Sequence, residues 1–195
     1  MSDPTLNTQI GKLSFRYGLL IGGISVVLSI VYFLMDPLLQ FTNLWLTLLS
    51  AVIVIALLVV LGLDVRKKIG GFWNFGQAFQ SLIIMCLFII ILSTVYSFIL
   101  FKFVDSGLPQ KVNDATEQVT VSRLEKMGVD QSKIDEYTKP FEDGEFKAKL
   151  APTFKNELTN FGVALLIDAI ICLIVAACIK KNPPMFAAIP DTDAG

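Results

Sequence analysis

The sequence contains no histidine. The commonest general base and the commonest protein metal ligand are therefore missing together. Cysteine is nearly as scarce, with Cys86, Cys172 and Cys178 as its three examples. The count is odd, all three lie inside apolar segments, and none forms a metal-type pair. Neither a disulfide framework nor a zinc site is indicated, and the three read as small apolar packing residues. A Walker loop, a Gly-x-Ser-x-Gly elbow and a metal-ligand cluster are all absent, so no enzyme, metal or other cofactor is expected. An enzyme acting on lipid would need several polar residues converging at the interface, and no such set has recognisable spacing. A basic surface is missing too. The net charge is −1 over 195 residues, which argues against a nucleic-acid partner.

Apolar residues are what the chain has in excess. They make up 54% of it and raise the mean hydropathy to +0.66, concentrated in four blocks. These predict membrane spans over residues 17–35, 44–63, 79–101 and 161–179. Each is about 20 residues long, which at about 1.5 Å per residue crosses a hydrocarbon core of about 30 Å. The expected fold is therefore all-α: one polytopic membrane domain of four transmembrane helices over residues 1–195, with membrane lipid as its first partner.

Residues 1–11 are polar and read as mobile. The first span follows Lys12 and Arg16. Its apolar run exceeds a signal-peptide core, and Asp36-Pro37 follows it in place of a cleavage site, so it reads as an uncleaved helix. On it, Gly18, Gly22, Ser25 and Ser29 fall at i, i+4, i+7 and i+11 and form a stripe of small residues. Such stripes allow close helix approach in lipid, where packing holds helices together. Packing within this bundle is the expected use, with self-association as the alternative. Trp45 opens the second span at interfacial depth, and that span is almost purely aliphatic, so it is expected to be the most lipid-exposed.

The stretch between the second and third spans organises the rest. Arg66, Lys67 and Lys68 precede Gly70-Gly71, which permits a tight reversal, and the aromatic group Phe72, Trp73, Phe75 and Phe79. Asn74 and Gln77 have capping-box spacing, so a helix is predicted to begin at Phe75. Cations beside a span favour the cytoplasmic side. Lys12 and Arg16, the Arg66–Lys68 cluster, and Lys180 with Lys181 all fall on one side if both termini are cytoplasmic. The expected location is the bacterial inner membrane.

The block Gly70-Gly71-Phe72-Trp73-Asn74-Phe75-Gly76-Gln77-Ala78-Phe79 resembles the hallmark of the Domain of Unknown Function 4199 family, small bacterial membrane proteins typical of Bacteroidetes. Tyr17-Gly-Leu-Leu-Ile-Gly22 resembles its first helix. Leu124–Asp130 with Lys133-Ile134 resembles its extramembrane region, and Ala176–Lys181 resembles its close. The resemblance spans about residues 10–186. It implies a four-helix membrane protein and brings no activity, cofactor or site residue.

Residues 102–160 form a polar insert with nine cations and eleven acids, expected on the extracytoplasmic side. Val112, Ala115, Val119, Leu124 and Met127 recur at helical spacing, with Gly128 as a cap. Asp130 is placed to cap a second helix that Pro140 should end, and a third is expected from about Pro152. Too few large apolar residues are present for an independent core, so the insert is expected to cap the bundle's outer end. Its mixed charges read as a solvated face, with a protein docking surface as the lesser reading. Residues 182–195 are expected to be disordered.

One residue could carry chemistry. Asp168 lies in the fourth span, about 10 Å from its outer end, and no span holds a Lys or Arg to pair with it. Asp168, Cys172 and Ala176 share a face, so the carboxylate is expected to point inward toward hydroxyls such as Ser93 and Ser97, with Ser25, Ser29, Thr47 and Ser50 at similar depth. A membrane carboxylate is a functional candidate, but a lone acid on an unbroken helix is weak evidence for a transporter. The sequence therefore favours a structural or accessory role in the envelope, with a protein partner engaged through 102–160. The alternative is a small proton- or cation-coupled carrier using Asp168. Oligomeric state is not legible.

Overall fold

A computed structural model describes residues 4–182. Four long helices account for the four apolar blocks: α1 (Pro4–Met35), α3 (Leu44–Lys68), α4 (Phe75–Ile99) and α8 (Phe154–Ile179). A single turn, α2 (Leu39–Thr42), joins α1 to α3. Beyond α4 the chain continues as a π-helical turn, Leu100–Val104. It then forms α5 (Leu108–Lys126), α6 (Gln131–Glu142) and α7 (Glu145–Leu150) before α8. The described residues are helical with no strand, and the four long helices are long and apolar enough to cross a membrane.

Large apolar side chains cover the outside of this bundle. Trp45, Leu34, Met35, Leu166, Ile174 and Val52 are all more than half exposed, an arrangement that water would penalise and lipid would not. The most apolar window of α3 is 11% buried, against 17–28% for the others, so the second span is the most lipid-facing, as its aliphatic composition predicts.

α4 is the central helix, packed most extensively against α1 and then α8, with α3 touching all three. A core of Ile21, Leu58, Val65, Leu82, Met85 and Ala176 fills the half of the bundle nearest the α3–α4 hairpin. The α1–α4 contact is close because Gly18 and Gly22 have no side chains. A Cβ on Gly18 would lie 2.9 Å from the Met85 carbonyl oxygen, and one on Gly22 would lie 2.7 Å from Leu92 Cδ1. The glycine half of the stripe is thus occupied inside the chain, by α4.

Helix α1 starts well before the apolar block. Residues 4–11, expected to be mobile, are its first turns, and Ile10 and Ser14 are fully buried. The reason is periodicity: Ile10, Ser14, Gly18 and Gly22 repeat every four residues, so the α4-facing stripe extends beyond the membrane span. Ser14 Oγ meets Ser81 Oγ at 2.7 Å across that interface.

Helices α5, α6 and α7 lie over the end of the bundle opposite the hairpin. Leu100, Phe101, Leu108 and Val112 form a second apolar cluster there, joined by Phe33, Phe41 and Phe146. Gly128, at φ +70°, turns the chain after α5. Asp130 occupies the N-cap position of α6 without making a side-chain cap bond. Pro140 lies inside α6, which runs on to Glu142. Pro140 removes one N–H near the helix end, and Glu136, whose carbonyl loses its partner, is exposed to solvent. Pro152 precedes α8, whose first turn is capped by Thr153 accepting from the Asn156 N–H at 3.3 Å. Most of the tail expected to be disordered, residues 183–195, lies outside the described residues.

Candidate functional site

The hairpin places the basic residues and the aromatic block together. Gly70 and Gly71 have φ of +106° and +83°. They close α3 in a Schellman turn, with the Gly71 N–H on the Arg66 carbonyl at 2.8 Å. Asn74 and Gln77 form a complete capping box, with reciprocal bonds of 2.9 and 3.0 Å, so α4 begins at Phe75. Trp73, 1% exposed, points into the core and donates from Nε1 to the Ile179 carbonyl at 3.1 Å. Arg66 donates to the same oxygen at 2.8 Å. The backbones of Trp73 and Lys181 exchange two hydrogen bonds of 2.9 and 3.1 Å, and the Lys181 ammonium sits 5.2 Å from the centre of the Phe72 ring.

The end of α8 is thereby latched to the α3–α4 hairpin. Beside it, the Tyr17 hydroxyl donates to the Asp64 carboxylate, which pairs with Lys68 at 2.8 Å. Lys67 and Lys180 make no ion pair among the described residues.

The other half of the bundle is polar inside. A cavity of about 340 Å³ lies between α4 and α8. One wall carries Ser93, Thr94 and Ser97 of α4, and the other carries Glu157, Asn160 and Asp168 of α8. Asp168 therefore faces Ser93 and Ser97 as expected, and it also borders a smaller cavity with Ser50 and Cys86. Ser25, Ser29 and Thr47 do not join it; they line a different cavity between α1, α3 and α4. One turn below Asp168, Cys172 is buried against Cys86 of α4, with the sulfurs 3.3 Å apart.

Glu157 is the residue that sequence reasoning missed. The sequence places it among the charges of the insert, on the helix from about Pro152 that runs straight into the fourth span, and α8 is indeed one continuous helix from Phe154. Glu157, Asn160, Ala164 and Asp168 fall at i, i+3, i+7 and i+11, which is one face. That spacing was available in the sequence; what hid it was the assumed boundary at residue 161. Eleven residues of helix separate the two acids by about 16 Å along the axis, so they are not a chelating pair.

No Lys or Arg lines the cavity, and neither acid has an ion-pair partner among the described residues. No cluster of three or more metal-type ligands occurs among them either. The π-turn Leu100–Val104 adjoins the cavity: its ladder skips to the Asp105 N–H bonding the Leu100 carbonyl at 3.0 Å, and Phe101 lines the wall. Such turns often mark functional positions in long helices.

No curated protein and no solved structure matches the chain significantly. A family model described as a protein of unknown function, DUF4199, matches residues 16–181. The aromatic hairpin and the helix end that carry the resemblance are the two segments joined in the latch. With a match over most of its length, the chain belongs to the DUF4199 family of proteins of unknown function.

Proposed function

We propose that the protein is a small proton- or cation-coupled carrier of the bacterial inner membrane, working at the α4–α8 cavity and having no enzymatic activity. The observation that carries this reading is the shared face of Glu157 and Asp168 opposite Ser93, Thr94 and Ser97, with no cationic side chain in the lining. A membrane carboxylate with no fixed counter-charge is stabilised by whatever cation the cavity admits, proton included. Each carboxylate, with the hydroxyls facing it, supplies hard oxygen ligands. Glu157 adds a second acid to the Asp168 face, and a π-turn follows α4; both support this reading.

In this reading both termini and the hairpin are cytoplasmic, following the cluster of Arg66, Lys67, Lys68, Lys180 and Lys181. Residues 102–160 are then extracytoplasmic, and Glu157 is the outer station. The test is ion flux in proteoliposomes carrying a trapped pH or sodium reporter. Wild-type protein should conduct above protein-free vesicles, Glu157→Gln should slow the flux, and Asp168→Asn should abolish it without lowering the melting temperature. Equal flux for wild type and Asp168→Asn removes the acid from the mechanism.

An accessory role in the envelope is supported by a separate observation. The cap exposes Met127 and Tyr137 at 68% and 62% among charged residues, a combination suited to a protein contact. Crosslinking in native membranes should then capture a partner that Tyr137→Ala loses, with ion flux unaffected.

A further inference from the structure

We propose that the cavity between α1, α3 and α4 is a second binding site, one that takes a small, uncharged, polyhydroxylated solute. Its volume is about 310 Å³, within the range of ordinary small-molecule sites, which begin at about 300 Å³. Hydroxyls converge on it from three helices, including Ser25 and Ser29 of α1, Thr47 and Ser50 of α3, and Tyr96 and Ser97 of α4. No charged side chain lines it.

The direction of the existing hydrogen bonds decides what the cavity can hold. Ser25 donates to the Ile21 carbonyl at 3.0 Å, Thr47 to the Asn43 carbonyl at 3.1 Å, and Ser50 to the Leu46 carbonyl at 2.8 Å. The Ser25 and Thr47 protons are committed to backbone carbonyls, so what these two offer the cavity is lone pairs, while Ser50 Oγ also lies 3.2 Å from the Tyr32 hydroxyl on α1. The Tyr96 hydroxyl is buried and has no partner among the described residues, an arrangement that is expensive unless something else supplies the bond.

Ser25 and Thr47 present lone pairs, while Ser29, Ser93, Ser97 and Tyr96 donate to nothing among the described residues, so the lining is complementary to a solute whose O–H groups both donate and accept. An anion or a lone cation would have no counter-charge in the lining. Phe41 and Phe101 stack over one end with ring centres 6.1 Å apart, giving an apolar surface for the C–H face of such a solute.

This cavity shares Ser93, Ser97 and Phe101 with the one between α4 and α8, so the test uses Tyr96, Ser29 and Thr47, which line this cavity alone. Nanodisc-embedded protein would be dialysed to equilibrium against radiolabelled glycerol, erythritol and glucose at fixed salt. Saturable binding of at least one probe is expected. Tyr96→Phe should weaken it about fivefold, the value of one net hydrogen bond. Ser29→Leu, which fills the cavity from the α1 wall, should abolish it, and Thr47→Leu from the α3 wall should do the same if Ser29→Leu does not fold. Thr159→Ala, outside both cavities, should bind as wild type. Saturable binding of none of the three probes overturns the proposal, as does wild-type binding by Tyr96→Phe together with a folded cavity-filling variant. Preferential capture of ammonium or choline over the neutral probes overturns it as well.

Discussion

Removing the Trp73 side chain should unfasten α8 from the hairpin. Trp73 is nearly wholly buried, belongs to the core that includes Leu82, Val175 and Ile179, and donates to the Ile179 carbonyl. Trp→Ala at a packed site costs about 3–5 kcal/mol. The lower end applies here, because packing and not water exclusion dominates cohesion in a membrane, so about 3 kcal/mol is expected. Trp73→Phe keeps most of the contact area and gives up the indole N–H. The Ile179 oxygen would still accept from Arg66 at 2.8 Å, leaving a loss of about 1 kcal/mol. Double substitution of Trp73→Phe with Arg66→Met leaves that carbonyl without either side-chain donor and should cost more than the two single changes added. The assay is reversible unfolding in mixed micelles, followed by reaction of buried Cys172 with a maleimide. If Trp73→Ala loses under about 1 kcal/mol, or Trp73→Phe is as damaging as Trp73→Ala, the latch is not what holds this end together.

Gly18→Ala would press a methyl group onto the Met85 backbone, which cannot yield as a side chain can. It should destabilise by about 1–3 kcal/mol in the same assay, whereas Gly23→Ala, with open space around it, should gain up to about 1 kcal/mol. Outside the membrane, the Lys111 ammonium bonded to Asp105, helped by the Gly107 N–H, holds the Asp105 carboxyl below its ordinary value. A lowered folded-state value means that the stabilisation is present above the unfolded pKa and is lost as pH falls through the folded one. Amide-exchange protection at the start of α5 should therefore decline as pH drops below about 4, and Asp105→Asn should be less protected at neutral pH and lack that decline. Single-cysteine labelling should reach Lys67→Cys only from the compartment holding Lys181, and Lys126→Cys only from the opposite one.

Much of the architecture was legible because lipid imposes a simple rule: a span must be a helix, long and apolar. The four spans, the capping box at Asn74, the glycine turn and the exposed second span follow from local chemistry. The depth of Asp168 and its alignment with Cys172 follow from helical period alone. The start of α1 at Pro4 was less visible, since polar residues conceal a stripe that matters only once α4 lies against it. Pro140 misled because its position near an exposed helix end is a tertiary fact.

The sequence by itself determined the class, the lengths and the periodic faces, since these depend on interactions within a few turns of one helix or with the surrounding solvent. Which faces meet was decided only by the tertiary structure. It joined Trp73 to Ile179 across 106 positions, gave Glu157 and Asp168 one cavity wall, and left Ser25 and Thr47 in another. Helix pairing in lipid rests on side-chain fit between distant segments, and no window of a single strand of sequence contains both halves of that fit.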